Sequence, residues 1–293
     1  MKKALSFLSL FLTICIFAEE PFTFYVAADP HVGYFQAIDN EAANRATIDD
    51  MNALVGTPAP WNDKEEISKP RGLLIAGDLT NSGKSTEWIG TFSKYGFYSL
   101  FAAKGDGLLT IPVYEGYGNH DIEGGYPGVL LAIYFRNRCR QTPIHKSSNG
   151  LHYSWDWNGV HFVNLNLYPG RSGPAHNSLT FLKEDLKNNL HHPKQPIILY
   201  HHYDYQDSEA WWTQREREEA YKAMKEYNII AIFVGHNHLS YQQEWNGIDV
   251  YALPSTYEGK YSVCHIKENT LFICHREKGE WLDMWQKEFF RPT

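Results

Sequence analysis

Five times along the chain a short apolar run stops abruptly at a polar cluster carrying Asp, Asn or His. The runs are Phe22–Asp29 (FTFYVAAD), Gly72–Asp78 (GLLIAGD), Ile111–His120 (IPVYEGYGNH), Pro196–His202 (PIILYHH) and Ile229–His238 (IIAIFVGHNH). Apolar runs this short predict strands buried on both faces. Between them, Asn40–Leu54, Thr86–Ala103, Asn177–Leu190 and Ser208–Tyr227 carry apolar residues at helical spacing with charged opposite faces, and Asn177 and Ser208 read as N-caps. Strands alternating with helices predict parallel strands joined by crossover helices.

Other segments follow a different rule. His152–Trp157 and Val160–Asn166 flank Asn158-Gly159, a strong hairpin signal. Trp245–Ala252, Tyr261–Lys267 and Thr270–Arg276 alternate as antiparallel strands do. The prediction is an α/β fold with two layered mixed sheets, closed by a C-terminal antiparallel group. Ala59–Arg71 reads as an exposed insertion. No repeat or linker divides the chain, so residues 19–293 are expected to form one domain.

Residues 1–18 are set apart by composition. Lys2 and Lys3 precede an apolar stretch from Ala4 to Phe17, then Ala18 and two acids. This is the pattern of a secretory leader, which predicts export to a periplasmic, extracellular or envelope location. Removing it takes Cys15 and leaves Cys139, Cys264 and Cys274, an odd number that excludes a disulfide framework. Cys264 and Cys274 flank a turn and read either as a cross-hairpin pair or as two small core residues. Over the 293 residues, apolar types at 43% and charged types at 21% fit a packed globular chain. A net charge of −7 argues against a nucleic-acid-binding face, and no apolar run is long enough to span a membrane.

The strand ends supply Asp29, His31, Asp78, Asn119, His120, His201, His236 and His238. In open α/β sheets, ligands gather at the carboxyl ends of parallel strands. Asp29 and His31 are two apart, as are His236 and His238, which in extended backbone points both members of a pair to one face. Carboxylate, amide and imidazole together suit borderline metals such as Mn, Fe or Zn. Each motif alone is weak; the ordered set of five is specific.

That set resembles the calcineurin-like metallophosphoesterase superfamily, whose pattern is Asp-x-His, Gly-Asp, Gly-Asn-His-Asp/Glu, a lone His and Gly-His-x-His. Here these stand as Asp29-Pro30-His31, Gly77-Asp78, Gly118-Asn119-His120-Asp121, His201 and Gly235-His236-Asn237-His238. The resemblance implies a two-sheet sandwich flanked by helices, with two transition metals at one edge. Asp29, His31 and His238 would hold the first, Asn119, His201 and His236 the second, and Asp78 would bridge them. It implies hydrolysis of a phosphate mono- or diester by a hydroxide held between the metals. His120 would contact the phosphate and protonate the leaving oxygen, with Asp121 orienting it.

Departures from the pattern matter. The fourth motif reads His201-His202-Tyr203 rather than His-x-Pro, so His202 is the alternative ligand, since a one-residue shift flips a side chain. Asn81 stands where purple acid phosphatases carry a metal-binding Tyr, which argues against an Fe(III)–tyrosinate centre. Gly77–Ser85 resembles a P-loop but has five residues, not four, between its glycine and the Gly-Lys-Ser end. Arg171 and His176 are candidates for phosphate contact, and Trp211-Trp212 for a pocket wall. A catalytically inactive metal- or phosphate-binding protein on the same fold is the alternative function. Substrate, metal identity and oligomeric state stay open.

Overall fold

A computed structural model of the chain describes residues 20–34, 39–91, 94–122, 128–170 and 178–292. The predicted leader, Arg171, His176 and the Asn177 cap lie outside the described residues. The strands are β1 Phe22–Ala27, β2 Pro58–Ala59, β3 Asn62–Glu66, β4 Leu73–Ala76, β5 Gly90–Thr91, β6 Lys94–Tyr95, β7 Val113–Gly116, β8 His145–Lys146, β9 Tyr153–Trp157, β10 Val160–Asn164, β11 Pro196–His201, β12 Asn228–Val234, β13 Tyr241–Trp245, β14 Ile248–Ala252, β15 Lys260–Lys267, β16 Thr270–Glu277 and β17 Glu280–Glu288. The helices are α1 Asn40–Ala53, α2 Ser85–Ile89, α3 Phe97–Leu100, α4 Gly128–Arg138, α5 Ser178–Asn188 and α6 Gln214–Met224.

Two large sheets carry the fold. One has the order β17-β16-β15-β1-β4-β7, the other β13-β14-β12-β11-β10-β9-β8. The run-then-polar strands lie side by side: β1, β4 and β7 are parallel neighbours in the first sheet, β11 and β12 in the second. Period-two alternation sorts their side chains. Phe22, Phe24 and Val26 of β1 join Trp155, Phe162, Ile198 and Tyr200 in one core cluster, between the sheets. Tyr25 and Ala27 face the other way and pack with Ile48 and Met51 of α1.

The hairpin at Asn158-Gly159 forms as expected, with φ +42° and +69° at the two positions. Other elements differ from the prediction. The Thr86–Ala103 helix is broken: Gly90 at φ +89° ends α2, and a short β5–β6 hairpin intervenes before α3. The helix expected from Ser208 begins at Gln214, because Thr213 and Glu216 form a reciprocal capping box. Trp245–Ala252 is not one strand but parts of β13 and β14 around Asn246-Gly247. Ala59–Arg71 includes part of the β2–β3 hairpin, with Ala59 and Ile67 buried.

Cys264 stands opposite Ile273 and Cys274 opposite Val263 across the β15–β16 pair. The two thiols therefore project to opposite faces and both are free. Within the site-bearing β7, Glu115 is buried between two arginines, accepting from Arg140 Nη2 at 2.9 Å and Arg136 Nη2 at 3.1 Å.

Candidate metal centre

The five polar loops meet at the carboxyl edge of the parallel strands and are stitched together through backbone groups. Asp29 N donates to Gly77 O at 3.1 Å, His31 N to Asp78 O at 2.9 Å and Gly235 N to His202 O at 3.0 Å. His120 N donates to Asp78 Oδ1 at 2.9 Å and His236 N to Asp29 Oδ2 at 3.0 Å. The side chains do not converge by extended-strand alternation, as the spacing suggested. Asp29, His31, Asp78, His236 and His238 all have left-handed backbone, with φ between +43° and +74°. They are five of the ten non-glycine residues with positive φ among the described residues. Such conformations are strained, at about 1–3 kcal/mol each, and the cross-links hold them. Two glycines make room. A Cβ on Gly118 would lie 2.2 Å from Asp78 Oδ1, and one on Gly77, already at φ +93°, would lie 2.3 Å from the His202 ring.

Three overlapping groups of ligand atoms result: Asp29 with His31 and His238, His31 with Asp78 and His120, and Asp78 with His202 and His236. In the first, His238 Nε2 lies 3.4 Å and His31 Nε2 3.7 Å from Asp29 Oδ1. Asp78 Oδ2 stands between the outer groups, 3.5 Å from His31 Nε2 and 3.2 Å from His202 Nε2. Asn119 Oδ1 lies 3.0 Å from His202 Nε2. The His202 and His236 rings are 5.0 Å apart.

His201 is not part of this assembly, which corrects the first assignment of the fourth motif. Ile197, Leu199 and His201 share one face of β11, and His201 turns into the outer core against Tyr205 and Trp212. Ile198, Tyr200 and His202 share the opposite face, toward the other sheet. Strand parity thus sends His202 to the seam and His201 away from it. Burial pushes the His201 pKa down to about 3, as suits a neutral core imidazole. His202 Nδ1 donates to Ala76 O at 2.8 Å, which leaves the lone pair of the neutral ring on Nε2, facing Asp78.

Asp121 is also placed differently from its expected role beside His120. It is fully buried; Oδ1 accepts from Thr80 N and Oγ1, and Oδ2 from Leu79 N and Gly118 N, at 2.7 to 3.0 Å. It clamps the second motif to the third. His120 is oriented instead by Asn81, whose carbonyl accepts from Nδ1 at 2.7 Å.

The electrostatics call for positive charge. Burial alone would raise the Asp29 carboxyl, but the close His238 and His31 imidazoles hold it well below the usual range. Burial likewise opposes ionisation of Asp78, and the His202 charge overcomes it. Burial depresses His202, yet the charge and hydrogen bond of Asp78 hold its pKa up at about 10. The imidazoles and carboxylates here group into sets whose atoms lie close enough together to share a cation. Asp29 Oδ1 is buried without a hydrogen-bond partner, while its Oδ2 is fixed by His236 N. An oxygen desolvated and aimed at two imidazoles fits a metal ligand, and the O/N donor set fits Mn, Fe or Zn.

Several contributors carry no mark in the motif spacing. Tyr257 Oη lies 3.1 Å from His238 Nδ1. Asp207 Oδ2 is 4.0 Å from His236 Nε2, and its Oδ1 accepts from Asn237 Nδ2 at 3.0 Å. Asn166, just past β10, accepts from Tyr117 N through Oδ1 and from His202 N through its carbonyl, joining two site loops. Its position after an apolar strand is the one signal that marks it.

Fold and site together define a two-sheet α/β sandwich with a carboxylate–histidine cage at its carboxyl edge. Residues 22–240 match the calcineurin-like phosphoesterase family, and the chain belongs to it. Purple acid phosphatase 23 of Arabidopsis thaliana is 28% identical over an alignment of 132 residues that covers 41% of this chain and 27% of that protein. Among solved structures, the fold is shared with GAP50, the anchor in the inner membrane complex of Plasmodium, at TM-score 0.56 and 11% identity, covering 92% of this chain and 90% of that one. It is shared also with TT1561 of Thermus thermophilus, at TM-score 0.50 and 12% identity, covering 83% and 94%.

Proposed function

We propose that this protein is an exported phosphoesterase working with two metal ions, and that its leader, residues 1–18, is removed to leave the single domain 19–293. The observation that carries the catalytic part is Asp78 Oδ2 standing within 3.5 Å of an imidazole of each outer ligand group. Asp29, His31 and His238 would hold one cation, Asn119, His202 and His236 the other, and Asp78 both. Bound there, the pair would supply Lewis acidity toward phosphoryl oxygen and a water acidic enough to attack near neutral pH.

The remaining work falls to the chain. Asp29 and Asp78 neutralise cationic charge in a desolvated floor, and Asn119 adds a neutral oxygen. Asn81 fixes His120 with its proton on Nδ1, so that Nε2, when protonated, can donate to the departing ester oxygen. Gly118 and Gly77 let the loops approach closely enough to hold these groups.

Metal analysis of the purified protein, together with hydrolysis of an aryl phosphate and an aryl phosphodiester, tests the proposal. About two transition metals per chain and turnover abolished in Asp78→Ala are expected. A protein that binds no transition metal, or an Asp78→Ala variant with undiminished turnover, overturns it. Secretion of the full chain, but not of one lacking residues 1–18, tests export.

A further inference from the structure

The rim of the site differs from its floor. The floor is carboxylate, amide and imidazole, whereas the rim carries an exposed apolar side chain, Trp211, at 45% of full exposure. Trp211 lies in the loop between β11 and α6, its ring centroid 5.5 Å from that of His236 at an interplanar angle of 64°. Tyr203 packs on the same two rings, 5.5 Å from Trp211 and 5.0 Å from His236, and is itself buried.

The two adjacent tryptophans have divided roles. Trp212 is fully buried against His201, Tyr205 and Tyr168 and anchors the loop to the outer core. Trp211 needs no exposure for that purpose. Leaving an indole half in water forgoes much of the gain from burying it. The indole plane stands inclined to the His236 ring, a wall beside the floor rather than a lid on it. Tyr34 and Tyr257 also pack near site imidazoles, on the His31 and His238 side, but are less exposed.

We propose that Trp211 is a stacking platform for a planar aromatic group carried by the alcohol portion of the phosphate ester, so that the preferred substrates are esters bearing such a group, such as nucleotides or aryl phosphates. This rests on the phosphoesterase proposal and specifies its substrate class. A phosphoryl group over the cluster projects its ester substituent toward the rim, where a flat π-face gains from stacking and an alkyl chain gains less.

The test uses the metal-loaded protein and two inert phosphonates, phenylphosphonate and methylphosphonate, with affinities measured by titration calorimetry. The wild type is expected to prefer the phenyl compound by about tenfold, the scale of one aromatic stack. Trp211→Ala is expected to collapse that ratio toward one, and Trp211→Phe to retain most of it, which separates lost stacking from a disturbed loop. A ratio unchanged in Trp211→Ala, or absent in the wild type, overturns the inference and leaves the phosphoesterase proposal standing. Failure of both phosphonates to bind the wild type overturns both. A KM advantage of adenosine 5′-monophosphate over ribose 5-phosphate that Trp211→Ala erases assigns the group as a nucleobase; the phenyl preference without that advantage assigns a simple aryl ester.

Discussion

At the scale of single residues, the fourth motif offers two neighbouring histidines with opposite fates. His202→Ala is expected to weaken metal binding by more than about 100-fold, because even partners outside the ligand shell contribute 10- to 100-fold. His201→Ala removes a buried ring packed on Trp212 and Tyr205, so it should lower the melting temperature while leaving the metal affinity of the variant as in the wild type. Equal metal loss in both variants would contradict the placement of His202. Motif spacing alone left this choice open, since both residues follow PIILY. The parity of Ile198 and Tyr200 decides it, and parity becomes visible only once the facing sheet is known. Asp121 shows the same limit: sequence adjacency to His120 suggested a hydrogen bond, but the turn directs the carboxylate into a nest of backbone donors.

At the scale of elements, the apolar runs were legible because a strand covered on both faces tolerates little else. The turns after them were not. Left-handed φ at Asp29, His31, Asp78, His236 and His238 has no residue signature beyond the mild tolerance of Asp and His for that region. Gly118 is the tightest joint of this arrangement. Gly118→Ala forces a Cβ to within 2.5 Å of Asp78 N as well as its carboxylate, and backbone there has no room to yield. The variant is expected to lose about 1–3 kcal/mol in denaturant unfolding and most of its metal affinity together. Helix α4, the strand β17 and the break at Gly90 also escaped the sequence pattern. The first two lack clear periodicity, and the third depends on a glycine whose left-handed φ the sequence does not announce.

At the scale of the whole molecule, polar groups buried away from the site govern stability. Glu115 lies in the interior with Arg136 and Arg140, so Glu115→Ala would strand two guanidinium groups and is expected to cost about 3–5 kcal/mol. Thermal melts of that variant against Glu115→Gln check it. His161, between Asp185 and Asp156, is depressed by burial, but hydrogen bonds to both carboxylates hold its pKa up at about 9 against an ordinary 6.5. A raised pKa contributes stability fully below the unfolded value and loses it as pH climbs through the folded one. Unfolding free energy should therefore fall by roughly 3 kcal/mol between pH 7 and 10, and His161→Gln should flatten that decline. The strained loops have a consequence at this scale too. If the neighbouring side chains hold cations, as proposed, a backbone kept in costly torsions by them makes mineral supply part of the protein's mechanical upkeep. Chelation should then show first as faster proteolytic nicking of the edge loops and a melting point that tracks free metal concentration, before any catalytic measurement is made.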